Sequence, residues 1–168
     1  MLCCVEICGI ILIKYNLGTD AMQSSRKSEG SFLSGEQLYS VIVGDGNGDA
    51  DTVVGHMLTY LGFKSKLVGT RYLKSAILYR YQKADVARVS LTGDVYRTVA
   101  ENNCSTVNRV ERAIRNSITD CNDNGNLIAF NELVHSKVVE PKFAPTNGEL
   151  ISSIVNWLQL EKQKGNLQ

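Results

Sequence analysis

Ser105-Thr-Val-Asn-Arg-Val-Glu-Arg-Ala-Ile-Arg-Asn-Ser-Ile-Thr-Asp-Cys121 is the stretch on which the reading of this chain turns. Wound on a helix at about 100° per residue, it places Val107, Val110, Ala113, Ile114, Ile118 and Cys121 on one side. The other side carries Asn108, Arg109, Arg112, Arg115, Asn116 and Thr119. Ser105 or Thr106 offers the side-chain oxygen that caps a first turn. Such a helix has two uses. In the commoner one, the polar face is simply solvated. In the other, the helix lies in the major groove of DNA, where Arg fits guanine O6/N7, Asn fits adenine N6/N7, and a carboxylate such as Glu111 accepts from cytosine N4.

The residues before it favour the second use. Thr92-Gly-Asp-Val-Tyr-Arg-Thr-Val-Ala-Glu-Asn102 predicts a short helix, with Thr92 as its N-cap and Val95 and Val99 spaced i,i+4. Asn102-Asn103-Cys104 then predicts a turn, because Asn tolerates the left-handed conformation. A short helix, a three-residue turn and a basic amphipathic helix make a helix-turn-helix. Ala100, Val110 and Ala113 are small or apolar where its two helices must come close.

Asn108-Arg-Val-Glu-Arg-Ala-Ile-Arg-Asn116 also resembles the recognition helix of the stage zero sporulation protein A family, whose pattern is Ser-Arg-Val-Glu-Arg-Ala-Ile-Arg-His. Seven consecutive positions agree, and Leu61-Gly-Phe, Gly69 with Arg71-Tyr-Leu, Gly125-Asn and Pro145-Thr-Asn follow in family order. The resemblance spans about residues 50 to 163, the C-terminal effector domain of that family. It implies sequence-specific binding to double-stranded DNA, a short guanine-containing box as target, and a head-to-tail tandem homodimer on adjacent boxes. On this reading Arg109 and Arg112 contact bases, and Glu111 assists or orients them. Thr106, Asn108, Arg115 and Asn116 contact or approach phosphates, which positions the helix without reading sequence. Two departures stand out. Asn116 replaces a family His and Ala144 replaces a Lys, each removing a cationic phosphate contact and pointing to weaker binding.

The rest of the chain fits a single effector domain. Hydrophobic residues make up 43% and charged ones 21%, enough to bury a core and too apolar for a disordered chain. The first 49 residues carry three basic against six acidic side chains, and the remainder fifteen against eleven. A focused basic face therefore suits this protein better than general cationic character. Met1–Tyr15 is an apolar run with Cys3, Cys4 and Cys8, too short to span a bilayer and without the features of a secretory signal. No membrane partner is expected. Met22 is an alternative start. Five cysteines is an odd count, which argues against a disulfide framework and for a cytoplasmic protein. Gln23–Gly35 has linker composition, and Leu38–Val43 predicts a short strand. Asp45-Gly-Asn-Gly-Asp-Ala-Asp51 resembles a calcium loop, but Ala50 and His56 stand where that loop needs Gly and Glu. It predicts a turn. Forty-nine residues cannot hold the family's phosphoreceiver, so control through one in cis is not expected.

From Asp51 the periodicity is helical. Val53, Val54, Met57, Leu58 and Leu61 line one helix closed by Gly62, and Thr70 is placed to cap a second with Leu73, Ile77, Leu78 and Tyr81 inward. Val86–Val89 leads into the helix-turn-helix, Leu127–Leu133 predicts a short helix, and His135–Lys142 predicts extended or irregular chain. Thr146-Asn-Gly-Glu149 is a capping box opening a last helix with Leu150, Ile151, Ile154, Val155, Leu158 and Trp157 as packing residues. His56 and His135 are isolated, Cys104 and Cys121 suit packing, and no catalytic, metal or cofactor constellation emerges. The expected fold is all-α, about six helices with an embedded helix-turn-helix and no relation to the winged-helix design. Residues 1–49 form an extension and linker, partly disordered, and residues 50–165 form the DNA-binding domain, with Thr106–Cys121 as recognition helix. An interaction module that pairs with or antagonises a full-length regulator is the alternative; an enzyme is not expected.

Overall fold

The structure is a computed structural model that describes residues 35–44, 48–84 and 89–167. Within these residues the chain forms seven α-helices and no strand beyond two isolated bridges. They are α1 Gly35–Val43, α2 Ala50–Tyr60, α3 Val68–Gln82, α4 Tyr96–Asn102, α5 Val107–Asn124, α6 Phe130–Val134 and α7 Asn147–Gln163. A π-helical turn over Leu91–Val95 runs into α4, and a 3₁₀ turn over Leu127–Ala129 runs into α6. The fold is all-α, as the helical periodicity requires. The apolar run Met1–Tyr15, the linker Gln23–Gly35 up to Ser34, Asp45–Asn47 of the loop and residues 85–88 lie outside the described residues.

Helix α3 is the centre of the body, packed against α2, α4, α5 and α7. Leu73, Ala76 and Ile77 are its fully buried residues. They meet Val54 and Met57 from α2, Ile114 and Ile118 from α5, and Leu150, Ile154 and Leu158 from α7 in one core. Asp49 caps α2 by accepting the Thr52 N–H at 2.6 Å, which gives the preceding loop its structural use. Gly62 follows the C-cap at φ +90°, a conformation that costs an L side chain, as the Leu61-Gly-Phe sequence anticipates. Thr70 does not cap α3. The helix begins at Val68 after a Lys64–Leu67 turn, and the Thr70 side chain is turned inward toward Ser117.

Leu38–Val43 is helix rather than strand. Its β-branched residues favour a strand locally, but Leu38, Ile42 and Val43 are buried while Ser40 is exposed, a pattern that a helix gives and that strand alternation does not. The packed body therefore includes α1, ahead of residue 50. Tyr39, beside Trp157 in an edge-to-face contact, donates its hydroxyl to the Glu161 carboxylate near the end of α7. Asn166 and Lys164 donate to the same carboxylate, each at 2.8 Å. Burial pushes the Tyr39 phenol up to about 12, and the Glu161 bond adds to the rise, so the hydroxyl stays a donor. Burial raises Glu161 too, but the Lys164, Tyr39 and Asn166 donors outweigh it and hold the carboxylate below its usual range. A depressed folded value means that this contribution is present above the unfolded value and is lost as the pH falls through the folded one.

Burial of an aliphatic side chain is worth about 1.5–3 kcal/mol, against a total stability of about 5–15 kcal/mol for a domain. Removing α1 strips Leu38, Ile42 and Val43 from the core and leaves Glu161 without Tyr39. A fragment of residues 50–168 should therefore melt well below one of residues 35–168, followed by circular dichroism. Equal midpoints would show that α1 is dispensable.

Candidate nucleic-acid interface

Helix α5 is capped by Thr106, whose hydroxyl oxygen accepts the Arg109 N–H at 3.4 Å. Val110, Ile114, Ile118 and Cys121 are buried as their spacing predicts, while Val107 and Ala113 are only half-buried. Ser117, absent from that stripe, is buried too. Its small side chain is what the neighbouring helix tolerates. A Cβ added to Gly69 of α3 would lie 1.9 Å from the Ala113 carbonyl oxygen and 2.4 Å from Ser117 Oγ. At the far end of α5, a Cβ on Gly125 would come within 2.8 Å of the Leu61 carbonyl oxygen. That carbonyl also accepts the Asn126 N–H at 2.8 Å and the Cys121 thiol at 3.1 Å. Burial pushes the Cys121 thiol up to about 12, so it stays protonated and structural.

With its inner side fixed in this way, α5 presents Asn108, Arg109, Glu111, Arg112, Arg115, Asn116 and Thr119 outward, all exposed. The Arg109 and Arg112 side chains form no hydrogen bond or ion pair among the described residues, and Glu111 pairs with neither of them. Arg115 differs. Its Nη1 donates to the Pro145 carbonyl oxygen, tying α5 to the start of α7. Asn147 Nδ2 donates to the Glu111 carbonyl oxygen at 3.1 Å. Thr146 caps α7 through the anticipated box: it accepts the Glu149 N–H at 3.2 Å, and Glu149 accepts the Thr146 N–H at 2.8 Å. The Thr146 bonds hold the Glu149 carboxyl below its ordinary value, with Arg115 contributing.

The helix before the turn starts earlier than Thr92. Ser90 caps it by accepting the Gly93 N–H at 3.0 Å, and the Asp94 carboxylate accepts the Ser90 N–H at 2.8 Å. Val95, Tyr96, Val99 and Ala100 are buried against α5 and α3. In the turn the left-handed residue is Cys104, at φ +48°, not an asparagine. Asn103 instead donates its side-chain amide to the Val99 carbonyl oxygen at 2.8 Å and closes the end of α4. Cys104 is exposed, so the packing role expected of it does not hold. Between the Leu91 turn, α5 and the start of α7 lies an open cleft of 610 Å³ bordered by Asn108, Glu111, Arg112 and Arg115. Its floor holds the buried Tyr96 phenol, raised by burial and pulled back by the Asn147 amide.

A compact α-helical body that fixes one side of a helix-turn-helix and leaves its second helix cationic and open is that of a DNA-binding transcription regulator. The family described as Sporulation initiation factor Spo0A C terminal matches residues 54–158, from within α2 to Leu158 in α7. The chain belongs to that family, a DNA-binding effector domain of sporulation that acts on double-stranded DNA. No helix among the described residues is long and apolar enough to cross a membrane.

Sequence reasoning missed Asn147 and Ser117. The Pro145-Thr-Asn match marked the first, and the 110, 114, 117, 121 spacing marked the second. Gly69→Ala tests the packing behind the interface. Ala gains up to about 1 kcal/mol of helix propensity over Gly, but overpacking costs about 1–3 kcal/mol, and here the obstacle is backbone. The net outcome should be a lower melting temperature together with weaker DNA binding. A variant that melts higher than the parent would show that α3 and α5 have room to separate.

Proposed function

We propose that the domain reads sequence in double-stranded DNA with the Thr106–Cys121 segment of α5 in the major groove. Arg109 and Arg112 contact guanine edges, and Glu111 assists by accepting from cytosine. Thr106, Asn108 and Asn116 approach the phosphates. Two copies sit head to tail on adjacent guanine-containing boxes. The observation that carries this reading is the contrast along one helix: the inner side is closed by backbone contacts, while Arg109 and Arg112 stand exposed with no partner among the described residues. Exposed guanidiniums without intramolecular partners lose no ion pair when they meet a base. On this reading, binding by these 168 residues is independent of phosphoryl donors.

A titration of the whole chain on a duplex carrying the family box, over a salt series and with or without acetyl phosphate, tests the proposal. Arg112→Ala should lose about 1–3 kcal/mol and relax preference at a single base pair, as the removal of one bidentate guanine contact does. A second adjacent box should raise occupancy cooperatively. Failure to prefer the box over unrelated duplex would instead support the interaction module that pairs with a full-length regulator. A clear response to the phosphoryl donor would sink the claim of independence.

A further inference from the structure

We propose that Arg115 and Asn147 are positioning residues: their two hydrogen bonds tie the start of α7 to the recognition helix and set the orientation of Arg109 and Arg112. From the sequence, Arg115 is expected to contact or approach phosphate; in the structure its guanidinium donates to the carbonyl oxygen of Pro145, a buried residue just ahead of the α7 cap. Asn147 returns a bond from the other strand of the junction, to the Glu111 carbonyl at 3.1 Å. Glu111 and Arg115 are one helical turn apart, and Pro145 and Asn147 flank the capping Thr146. The junction therefore grips a single turn of α5 at both ends.

That turn carries Arg112. The Glu111 carbonyl lies inside the helix and accepts there from the amide four residues on; the Asn147 amide uses its second lone pair. The contact is thus made to backbone, which neither rotates away nor changes with side-chain rotamer. On the inner side, Ala113 is held against Gly69. Between them, these contacts stop α5 from rolling about its own axis. Arg112 and Asn108 share the intervening cleft edge but make no bond to the junction, which leaves them free for DNA. Asn147 is 8% exposed, with its Oδ1 unpartnered among the described residues, so Nδ2 and the Glu111 carbonyl fix its orientation.

The inference rests on the DNA-reading proposal for its effect on binding, and its test separates the two. Parent, Arg115→Ala, Asn147→Ala and the double variant are titrated by fluorescence anisotropy on a duplex with the guanine-containing box and on one with its guanines replaced, over a salt series. Hydrogen exchange of the Leu150 amide, which bonds to the Thr146 carbonyl oxygen in the first turn of α7, is followed in the same proteins without DNA. Each single variant should lose about tenfold in discrimination between the duplexes, as loss of one strong hydrogen bond would. The salt slope should stay that of the parent, and the double variant should lose little more than either single one. Leu150 should exchange faster in all three. A slope flatter by about one unit in Arg115→Ala, with discrimination kept, would make Arg115 a phosphate contact and overturn the proposal. Unchanged Leu150 exchange overturns it as well. If the parent itself shows no box preference, the DNA reading fails, and the exchange result alone decides whether the junction is held in this way.

Discussion

The close approach of α3 to α5 at Gly69 is the constraint on which the rest depends. Two helices meet there backbone against side-chain root, with the Ala113 carbonyl where a Cβ would otherwise sit. Packed interiors have no slack to absorb a misplaced methyl, so this contact fixes the depth of α5 in the body. The same logic recurs at Gly125, against the Leu61 carbonyl and beside Gly62. Both ends of the inner face of α5 are thus located by glycines whose missing side chains set the spacing. Leu61-Gly-Phe, Gly69 and Gly125-Asn are among the family matches lying outside the helix-turn-helix. They are the docking points of α5, and their order along the chain follows from which helices must touch it.

A helix held in this way can carry an unfavourable surface. Arg109, Arg112 and Arg115 repeat every three residues, and like charges at i,i+3 lower helix stability by about 0.2–0.5 kcal/mol a pair. An isolated peptide of this sequence would feel that penalty directly. Here the burial of Val110, Ile114, Ile118 and Cys121 outweighs it many times over. The charge separation along the face is equally informative. Arg115 donates to the Pro145 carbonyl oxygen, while the side chains of the two arginines nearer the cap make no bond among the described residues. On the proposed reading, identical residue types on one face take different tasks because of what the next element brings near them.

That division explains what was legible in the sequence and what was not. Signals confined to a few neighbouring residues came through: the capping box at Thr146, the left-handed Gly62 and the four-residue spacing of Val110, Ile114 and Ile118. Features decided by a distant partner did not. Leu38–Val43 has strand-like composition, and only the groove beside α2 and the Glu161 carboxylate make it a helix worth burying. Thr70 carries a capping side chain, but its hydroxyl was already claimed by the inside of the α3–α5 contact. Ser117 is polar and belongs to neither face as the sequence divides them; it is buried where Gly69 leaves room for nothing larger. In the turn, asparagine is the better left-handed residue, yet Asn103 is held at φ −118° by its bond to Val99, and the reversal passes to Cys104. The outward face was legible as chemistry, and the partner of Arg115 was not, because thirty residues of chain intervene.

On the proposed reading, the absence of cations at Asn116 and Ala144 has a consequence beyond weaker binding. Phosphate contacts strengthen binding to any duplex, whereas base contacts strengthen binding to the matching one. Losing phosphate contacts while keeping Arg109, Arg112 and Glu111 therefore lowers specific and non-specific affinity together and leaves their ratio nearly intact. A chain so altered spends less time on unrelated DNA at a given concentration. It also relies more on the exact presentation of its base-reading side chains, since fewer charge contacts are available to compensate for a poor fit. Rigid anchoring of α5 by Gly69, Gly125 and the α7 junction supplies that presentation without adding charge. Adjacent boxes would then supply the missing occupancy, because a neighbouring bound copy raises affinity only where two boxes lie together.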